Sequence, residues 1–373
     1  MSLNAIELAS FALSRFIHDT EDLAKARIKP PPRELRNHAL QELRDIKPVT
    51  TVNAYDGQKA VRYDWRDSKY IAIPFDLAHQ KLQLLDDSED GLEYLSAEEL
   101  PEAISLYLIR ALELAPIYGN ELTIIDEIIS PAIDGEDGVE LTAILRYLQK
   151  YSVIRISEAS IYSSSPTANH LVNYLITFQD WAVSSPLAES SLQTIRAIFH
   201  SDKDHLIGRN LFWALESKSP RYGFLECYRT LEFLFGFPRS KKLLDSLKKI
   251  GKASLPISEM ELARLCSNEL GWRLVERDAL TNLLREYADY RVDPFNELAD
   301  NCEFFSKLRL AGPVKATQIT HYAEMLYKIR NQTVHQFWPD EELIVSHDDY
   351  VNLADFILGC IFYFYDKYFQ RIT

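Results

Sequence analysis

Apolar side chains recur every three or four residues along the second half of the chain, and this spacing constrains the fold more than any other feature. Two segments carry it most clearly, with stripes at Phe224, Tyr228, Leu231 and Phe235 and at Ile319, Tyr322, Leu326 and Ile329. Residues at this spacing share one face of an α-helix, which buries that face against its neighbours. Glycine, which destabilises helices, accounts for only 12 of the 373 residues. The sequence therefore predicts an all-α helical bundle over residues 185–373.

The last predicted helix, over residues 353–364, is apolar on almost every side, because Asp355 is its only charged residue. A helix of this kind either lies at the centre of its bundle or is covered by a second subunit. The sequence leaves both arrangements open.

The first part of the chain mixes helix and strand patterns. Apolar spacing predicts helices near residues 3–18 and over residues 104–118, whereas residues 60–75 read as two short strands around a turn. We therefore expect an α+β protein that is predominantly α. Residues 1–184 would form a region of mixed helices and strands that senses a signal or binds a partner.

Residues 119–184 show the order helix, strand, loop, strand. A helical stretch is followed by SVIRIS, then by a serine-rich loop, then by the strand-like LVNYLITFQDWAV. This order is similar to that of a winged-helix module. The helix offers only Arg146 and Lys150 as basic residues, which favours packing or partner binding over the reading of DNA.

Cysteine usage and hydropathy bear on the compartment. The four cysteines have no CxxC spacing, and Cys227 and Cys360 lie in apolar helical patterns that are typical of buried free thiols. The N-terminal run LNAIELASFALSRFI has the pattern of an amphipathic helix rather than of a signal peptide. No apolar stretch reaches the roughly 20 residues that span a bilayer. We expect a soluble, cytoplasmic protein with no membrane partner.

The formal net charge of −14 disfavours a protein that coats nucleic acid generally. One stretch, residues 238–252, is nevertheless strongly basic. We single out Lys241, Lys242, Lys248 and Lys249 as candidate RNA-binding residues. A local basic patch can guide a phosphate chain even on an acidic protein. The alternative is that these lysines only solvate one face of a helix.

The segment YKIRNQTVHQFWP places Arg330, Asn331 and His335 near the end of a predicted helix, which Pro339 must terminate. At 100° per residue, Asn331 and His335 lie about 140° and 180° from Leu326 and so point away from the core stripe. Arg330 lies at the edge of that stripe, where its stem can pack while its guanidinium reaches beyond. If the segment is only a helix end, the cation complements the helix dipole and the histidine is solvated.

The segment LYKIRNQTVH resembles the signature of the HEPN superfamily, in which an arginine is followed after four to six residues by a histidine. The first intervening residue is often asparagine, as Asn331 is here. A second segment, ECYRTLEFLFG, resembles an earlier helix of such domains. The resemblance covers about the last half of the chain and implies a C-terminal HEPN-like helical bundle.

The resemblance implies a metal-independent endoribonuclease that works as a homodimer through the C-terminal domain. His335 would be the acid or base, Arg330 the group that stabilises the phosphate, and Asn331 a positioning hydrogen bonder. Either Glu226 or Glu232 would be an auxiliary polar residue from the facing helix. These roles fit the chemistry, because RNA supplies its own nucleophile and a histidine of near-neutral pKa moves the proton without a metal.

One departure from the family concerns regulation. HEPN toxins that a nucleotidyltransferase antitoxin silences typically continue His-x-Tyr, whereas Gln336 and Phe337 follow His335 here. The long additional N-terminal region fits an effector of a prokaryotic defence or toxin system with its own sensing part. The implied partners are RNA and an antitoxin or another defence-system protein.

Other chemistries lack a pattern in the sequence. His200 and His205 are five residues apart and do not share a helical face, and DGEDGVE lacks the spacing of a calcium loop. No P-loop, G-x-G-x-x-G or G-x-S-x-G motif occurs. We expect neither a metal nor a cofactor.

Two hypotheses therefore remain, an endoribonuclease and a non-catalytic HEPN-like module that binds protein or nucleic acid. They differ in the surroundings of the motif. Catalysis requires Arg330 and His335 to converge in an open cleft, whereas a purely structural arginine would be buried in a salt bridge.

Overall fold

The computed structural model describes residues 4–53, 59–77, 90–96, 100–117, 119, 121–135, 138–164, 168–178, 187–201, 208–250, 262, 276–309, 316–334 and 343–369. Of residues 168–169, 201, 247–250, 316 and 369, only the backbone is described. The chain forms two compact units, Met1–Asp180 and Trp181–Thr373. The predicted boundary, between residues 184 and 185, lies close to this division.

The first unit contains a five-stranded antiparallel sheet with the strand order β1-β2-β3-β5-β4. Its strands are β1 (Lys47–Asn53), β2 (Lys59–Trp65), β3 (Ser68–Ile73), β4 (Leu92–Leu95) and β5 (Ser152–Ile156). The two strands predicted over residues 60–75 are thus confirmed as β2 and β3.

The described helices of the first unit are α1 (Ala5–Ser14), α2 (Thr20–Lys25), α3 (Arg33–Asp45), α4 (Glu102–Ala111), α5 (Glu121–Ile124), α6 (Ser130–Asp134), α7 (Leu141–Arg146) and α8 (Ala168–Ile176). A π-helical turn, Ile125–Ile129, joins α5 to α6. The core of this unit is made by α1, α3 and α4 together with the sheet face that carries Tyr63, Tyr70 and Val153.

The winged-helix prediction for residues 119–184 is wrong. The strand predicted after the serine-rich loop is helix α8 where the structure describes it, and β5 pairs with β3 and β4 in the larger sheet instead of forming a wing. The reason is burial on every side, since the run from His170 to Ile176 is buried throughout. A helix that is buried all round has a continuous apolar sequence, which cannot be distinguished from a buried strand by periodicity.

The second unit is helical wherever the structure describes regular elements. Its described helices are α9 (Glu189–Ser201), α10 (Gly208–Glu216), α11 (Pro220–Leu234), α12 (Phe237–Ile250), α13 (Glu276–Tyr290), α14 (Asp293–Asn301), α15 (Ala316–Val334) and α16 (His347–Phe369). A 3-10 helix, Glu303–Leu308, lies between α14 and α15.

Both predicted apolar stripes of the second unit are confirmed. Every member is buried, including Tyr228 and Leu231 in one stripe and Tyr322 and Leu326 in the other. Helix α16 lies at the centre of the unit, in contact with α9, α11, α13 and α14. Of the two arrangements predicted for residues 353–364, the central one is observed, although Phe362 remains 40% exposed.

Cys227 and Cys360 are free and fully buried, as predicted. Burial raises the pKa of both thiols far above the ordinary value. Within the described parts of the chain, no helix combines the length and the apolar character needed to cross a membrane.

Candidate functional site

Arg330 lies near the end of α15 at the centre of a cluster of charged side chains from three helices. Its Nη2 donates to Glu232 Oε1 on α11 at 2.7 Å, and its Nη1 donates to Asn331 Oδ1 at 3.0 Å. Its Nε lies 3.5 Å from Oε1 of Glu276, the first described residue of α13. The Tyr228 ring packs beneath the guanidinium, 5.8 Å from its central carbon. Arg330 thus faces two carboxylates and an amide oxygen.

The cluster is largely shielded from water. The Arg330 side chain is 19% exposed, and the two glutamates are each 27% exposed. Burial raises the pKa of Glu232, Arg330 lowers it, and Glu276 raises it through its charge and through a hydrogen bond between the two carboxyl groups. The second acid therefore weakens the tendency of Glu232 to ionise, although a cation lies beside it.

Three buried polar atoms of this cluster make no hydrogen bond to any residue that the structure describes. They are Tyr228 Oη, Glu276 Oε1 and Arg330 Nε. Buried polar groups are nearly always hydrogen-bonded, and exceptions tend to occur where a ligand, an ion or a water binds. The cluster has the donors and acceptors to take a further polar group.

Glu232, rather than Glu226, is the acid that contacts the motif arginine. Both were candidates for the auxiliary residue, but Glu226 pairs with Arg229 on its own helix. Sequence reasoning missed Glu276 entirely. No local pattern marks it, because it lies far from Arg330 in the chain and the packing of α13 against α15 brings the two together.

The end of α15 is fixed by hydrogen bonds from outside the helix. The Gln332 amide donates to Leu343 O at 2.6 Å and accepts from Leu343 N at 3.0 Å. Arg221, at the start of α11, donates to the carbonyls of Gln332 and Thr333 at 3.2 Å each. These bonds hold the backbone that carries Arg330 and Asn331.

The remaining predicted site residues are placed only in part. His335 lies outside the described residues, so the structure places two of the three motif side chains. Lys241 is partly buried, with its Nζ 5.6 Å from the Tyr368 ring, and Lys242 is exposed. Lys248 and Lys249 belong to α12, but their side chains lie outside those described.

In the described part of the chain, no three histidine, cysteine, aspartate or glutamate side chains are grouped so as to hold a metal ion. The chemistry available near Arg330 is thus that of a cation, two carboxylates, an amide and a phenol. Comparison of the chain with protein-family models, with curated proteins and with solved structures gave no match.

Proposed function

We propose that the second unit is a HEPN-like, metal-independent endoribonuclease of a prokaryotic defence or toxin system. One observation carries the proposal beyond the motif itself. Glu232, in the second segment that resembles the family, binds the guanidinium of Arg330 in the first segment. Two separate parts of the resemblance therefore meet at one place, and that place holds a partly shielded arginine.

The proposed reaction is transesterification within RNA. The 2′-hydroxyl attacks the adjacent phosphorus, the bond to the 5′-oxygen breaks, and the products carry a 2′,3′-cyclic phosphate and a 5′-hydroxyl. His335 takes or gives the proton, because an imidazole titrates near neutral pH. Arg330 stabilises the charge that develops on the phosphate with a planar fork of donors. Asn331 holds Nη1 and so orients that fork.

We propose that the enzyme acts as a homodimer through a surface at the end of α15. Tyr222, Val334 and Ile344 are 59%, 40% and 90% exposed. Each adjoins a residue of the hydrogen-bonded helix end, namely Arg221, Thr333 and Leu343. We propose a second copy as the partner that covers these exposed apolar side chains, because the motifs of the two copies would then face one another.

The oligomeric state tests this surface directly. We expect light scattering to give a dimer at micromolar concentration, and Tyr222→Asp with Ile344→Asp to give a monomer that loses cleavage. A wild-type monomer that still cleaves RNA would contradict the dimeric site. The basic stretch is tested separately, since Lys241→Gln with Lys242→Gln should weaken RNA binding and flatten its salt dependence.

The function itself is tested with purified protein, single-stranded RNA and EDTA. We expect cleavage that leaves the cyclic phosphate and 5′-hydroxyl ends. His335→Ala should lower the rate about 10²–10⁴-fold by removing proton transfer. The matched control is His321→Ala, because His321 is an exposed histidine on α15 that pairs with Glu324 on its own helix. Its rate should equal that of the wild type.

Two results would overturn the ribonuclease proposal. One is cleavage that survives His335→Ala unchanged, and the other is cleavage that requires added magnesium. Absence of cleavage by the wild type, with RNA binding retained, would support the second candidate below.

The second candidate is a non-catalytic HEPN-like module that binds protein or nucleic acid. The observation that favours it is the engagement of Arg330 by Glu232 and Glu276, which is the surrounding expected of a structural arginine. For such a module, Arg330→Lys should change stability more than it changes the binding of RNA.

A further inference from the structure

We infer that the Arg330 guanidinium is an anion site in which an incoming phosphate displaces Glu276 while Glu232 stays bound. This inference rests on the proposed function insofar as the anion is taken to be a phosphate of RNA. It assigns different tasks to the two acids. Glu232 positions the guanidinium, and Glu276 occupies the anion-binding position when no ligand is bound.

The contact that Glu276 makes is the weaker of the two. Glu232 accepts a hydrogen bond at 2.7 Å, whereas Glu276 Oε1 lies 3.5 Å from Arg330 Nε and makes no hydrogen bond within the described residues. A separation of 3.5 Å exceeds the usual length of an N–H···O bond. Release of Glu276 therefore breaks no formed hydrogen bond to Arg330.

The charges of the cluster favour a phosphate that replaces Glu276 over a phosphate that binds beside both acids. Two carboxylates face one guanidinium in a site that is only 19–27% exposed. A phosphodiester that entered beside both acids would bring a third acidic group to a single cation. If it replaces one carboxylate, the number of negative groups stays the same, and the guanidinium gains a partner that matches its fork.

The positions of the two acids in their helices decide which one leaves. Glu276 lies in the first described turn of α13, far from the C-terminal end of that helix, so the dipole does not disfavour its carboxylate. Glu232 lies in the last turn of α11, where the dipole disfavours a carboxylate. Glu232 therefore depends more on Arg330 than Glu276 does.

Tyr228 supplies a second, independent sign of a ligand. Its ring is completely buried beneath the guanidinium, and its hydroxyl has no hydrogen-bond partner among the described residues. Burial raises the pKa of this phenol, and the charges of Glu276 and Glu232 raise it further, so it stays a donor at neutral pH. A phosphate oxygen on Arg330 gives this donor an acceptor.

Calorimetric titration tests the inference without requiring cleavage. The probes are inorganic phosphate and a short 2′-O-methyl oligonucleotide, which lacks the nucleophilic hydroxyl, at low ionic strength and neutral pH. Glu276→Gln should bind both probes on the order of tenfold more tightly than the wild type, because a competing charge next to the site is removed. Glu232→Gln is the matched control: it removes the same charge but leaves Glu276 beside the guanidinium, so its affinity should rise less than that of Glu276→Gln.

Unchanged affinity in Glu276→Gln would overturn the inference, and so would an increase in Glu232→Gln that equals or exceeds that of Glu276→Gln. Thermal unfolding of each variant shows whether it is folded. Failure of the ribonuclease proposal is recognised separately. In that case the wild type leaves RNA uncut, whereas Glu276→Gln still binds phosphate more tightly. If cleavage occurs and Glu276→Gln does not alter binding, the ribonuclease proposal stands and the exchange is wrong.

Discussion

The two units each contain a cluster of charged side chains around one central group, and the clusters are opposite in kind. In the first unit, the Glu42 carboxylate is 3% exposed and is surrounded by donors. It accepts from Trp65 Nε1 at 2.7 Å and from Arg66, and His38 Nε2 lies 3.2 Å from it. In the second unit, Arg330 is a donor surrounded by acceptors, namely Glu232, Glu276 and Asn331.

The difference lies in how completely each cluster is satisfied. Every buried polar side-chain atom of Glu42 and Trp65 has a hydrogen-bond partner. In the Arg330 cluster, three buried polar atoms have none among the described residues. A satisfied buried ion pair fixes the position of its helix on its sheet. The Arg330 cluster has donors without acceptors and two carboxylates for one guanidinium, an arrangement that does not maximise stability. This contrast suggests that Glu42 holds structure and that Arg330 is kept for a ligand.

The largest effect on stability is expected from Glu42→Gln. The change removes charge-assisted hydrogen bonds and places an amide donor beside Trp65 and Arg66, which are donors themselves. We expect a loss of about 2 kcal/mol in the free energy of unfolding of the first unit, measured by urea denaturation with circular dichroism. A loss below about 0.5 kcal/mol would contradict the claim that the Glu42 cluster stabilises the first unit.

A smaller effect is expected in the pH dependence of stability at Glu232. Burial, reinforced by Glu276 and opposed by Arg330, raises its pKa in the folded state. A carboxyl group with a raised folded pKa contributes stability that is fully present below the unfolded pKa and is lost as the pH rises through the folded pKa. Unfolding temperatures of Glu232→Gln and the wild type, compared from pH 4 to pH 8, should therefore shift in favour of the variant with rising pH. Parallel curves would mean that Glu232 ionises as an ordinary acid.

The smallest effect on stability is expected from Glu276→Gln, the same chemical change as in Glu42→Gln. Attraction of Glu276 to Arg330 is opposed by repulsion from Glu232, and partly exposed ion pairs contribute little in any case. We expect the free energy of unfolding to change by less than about 0.5 kcal/mol. If Glu276→Gln destabilised the protein as much as Glu42→Gln, the two clusters would be alike and Glu276 would be a structural residue.

The helical second unit could be read from the sequence because its information is local. The stripes through Tyr228 and Leu326 repeat within single helices, and each repeat specifies which face is buried. The same reasoning placed Arg330 at the edge of its stripe with a guanidinium that reaches beyond it, and the structure shows that guanidinium bonded to Glu232. The reasoning failed at α8, where burial on every side removes the alternation that separates helix from strand.

The surroundings of Arg330 could not be read from the sequence. Which of Glu226 and Glu232 meets it depends on the rotation of α11 about its axis, and the resemblance left both open. Glu276 enters only through the packing of α13 against α15. The donors around Glu42 were likewise unpredicted, because they come from a helix and a hairpin whose register is set by pairing across the sheet.

The measurement that tests the central claim most directly is RNA cleavage in EDTA by Arg330→Lys. Lysine keeps the positive charge between Glu232 and Glu276, so the fold should be retained, but its single ammonium cannot span two phosphate oxygens. We predict that cleavage falls about 10²-fold or more while the unfolding temperature stays close to that of the wild type. Arg229→Lys, an exposed arginine on α11 that pairs with Glu226, is the control and should cleave normally. Cleavage by Arg330→Lys at the wild-type rate, or unfolding of that variant, would contradict the account, because Arg330 would then serve structure rather than the phosphate.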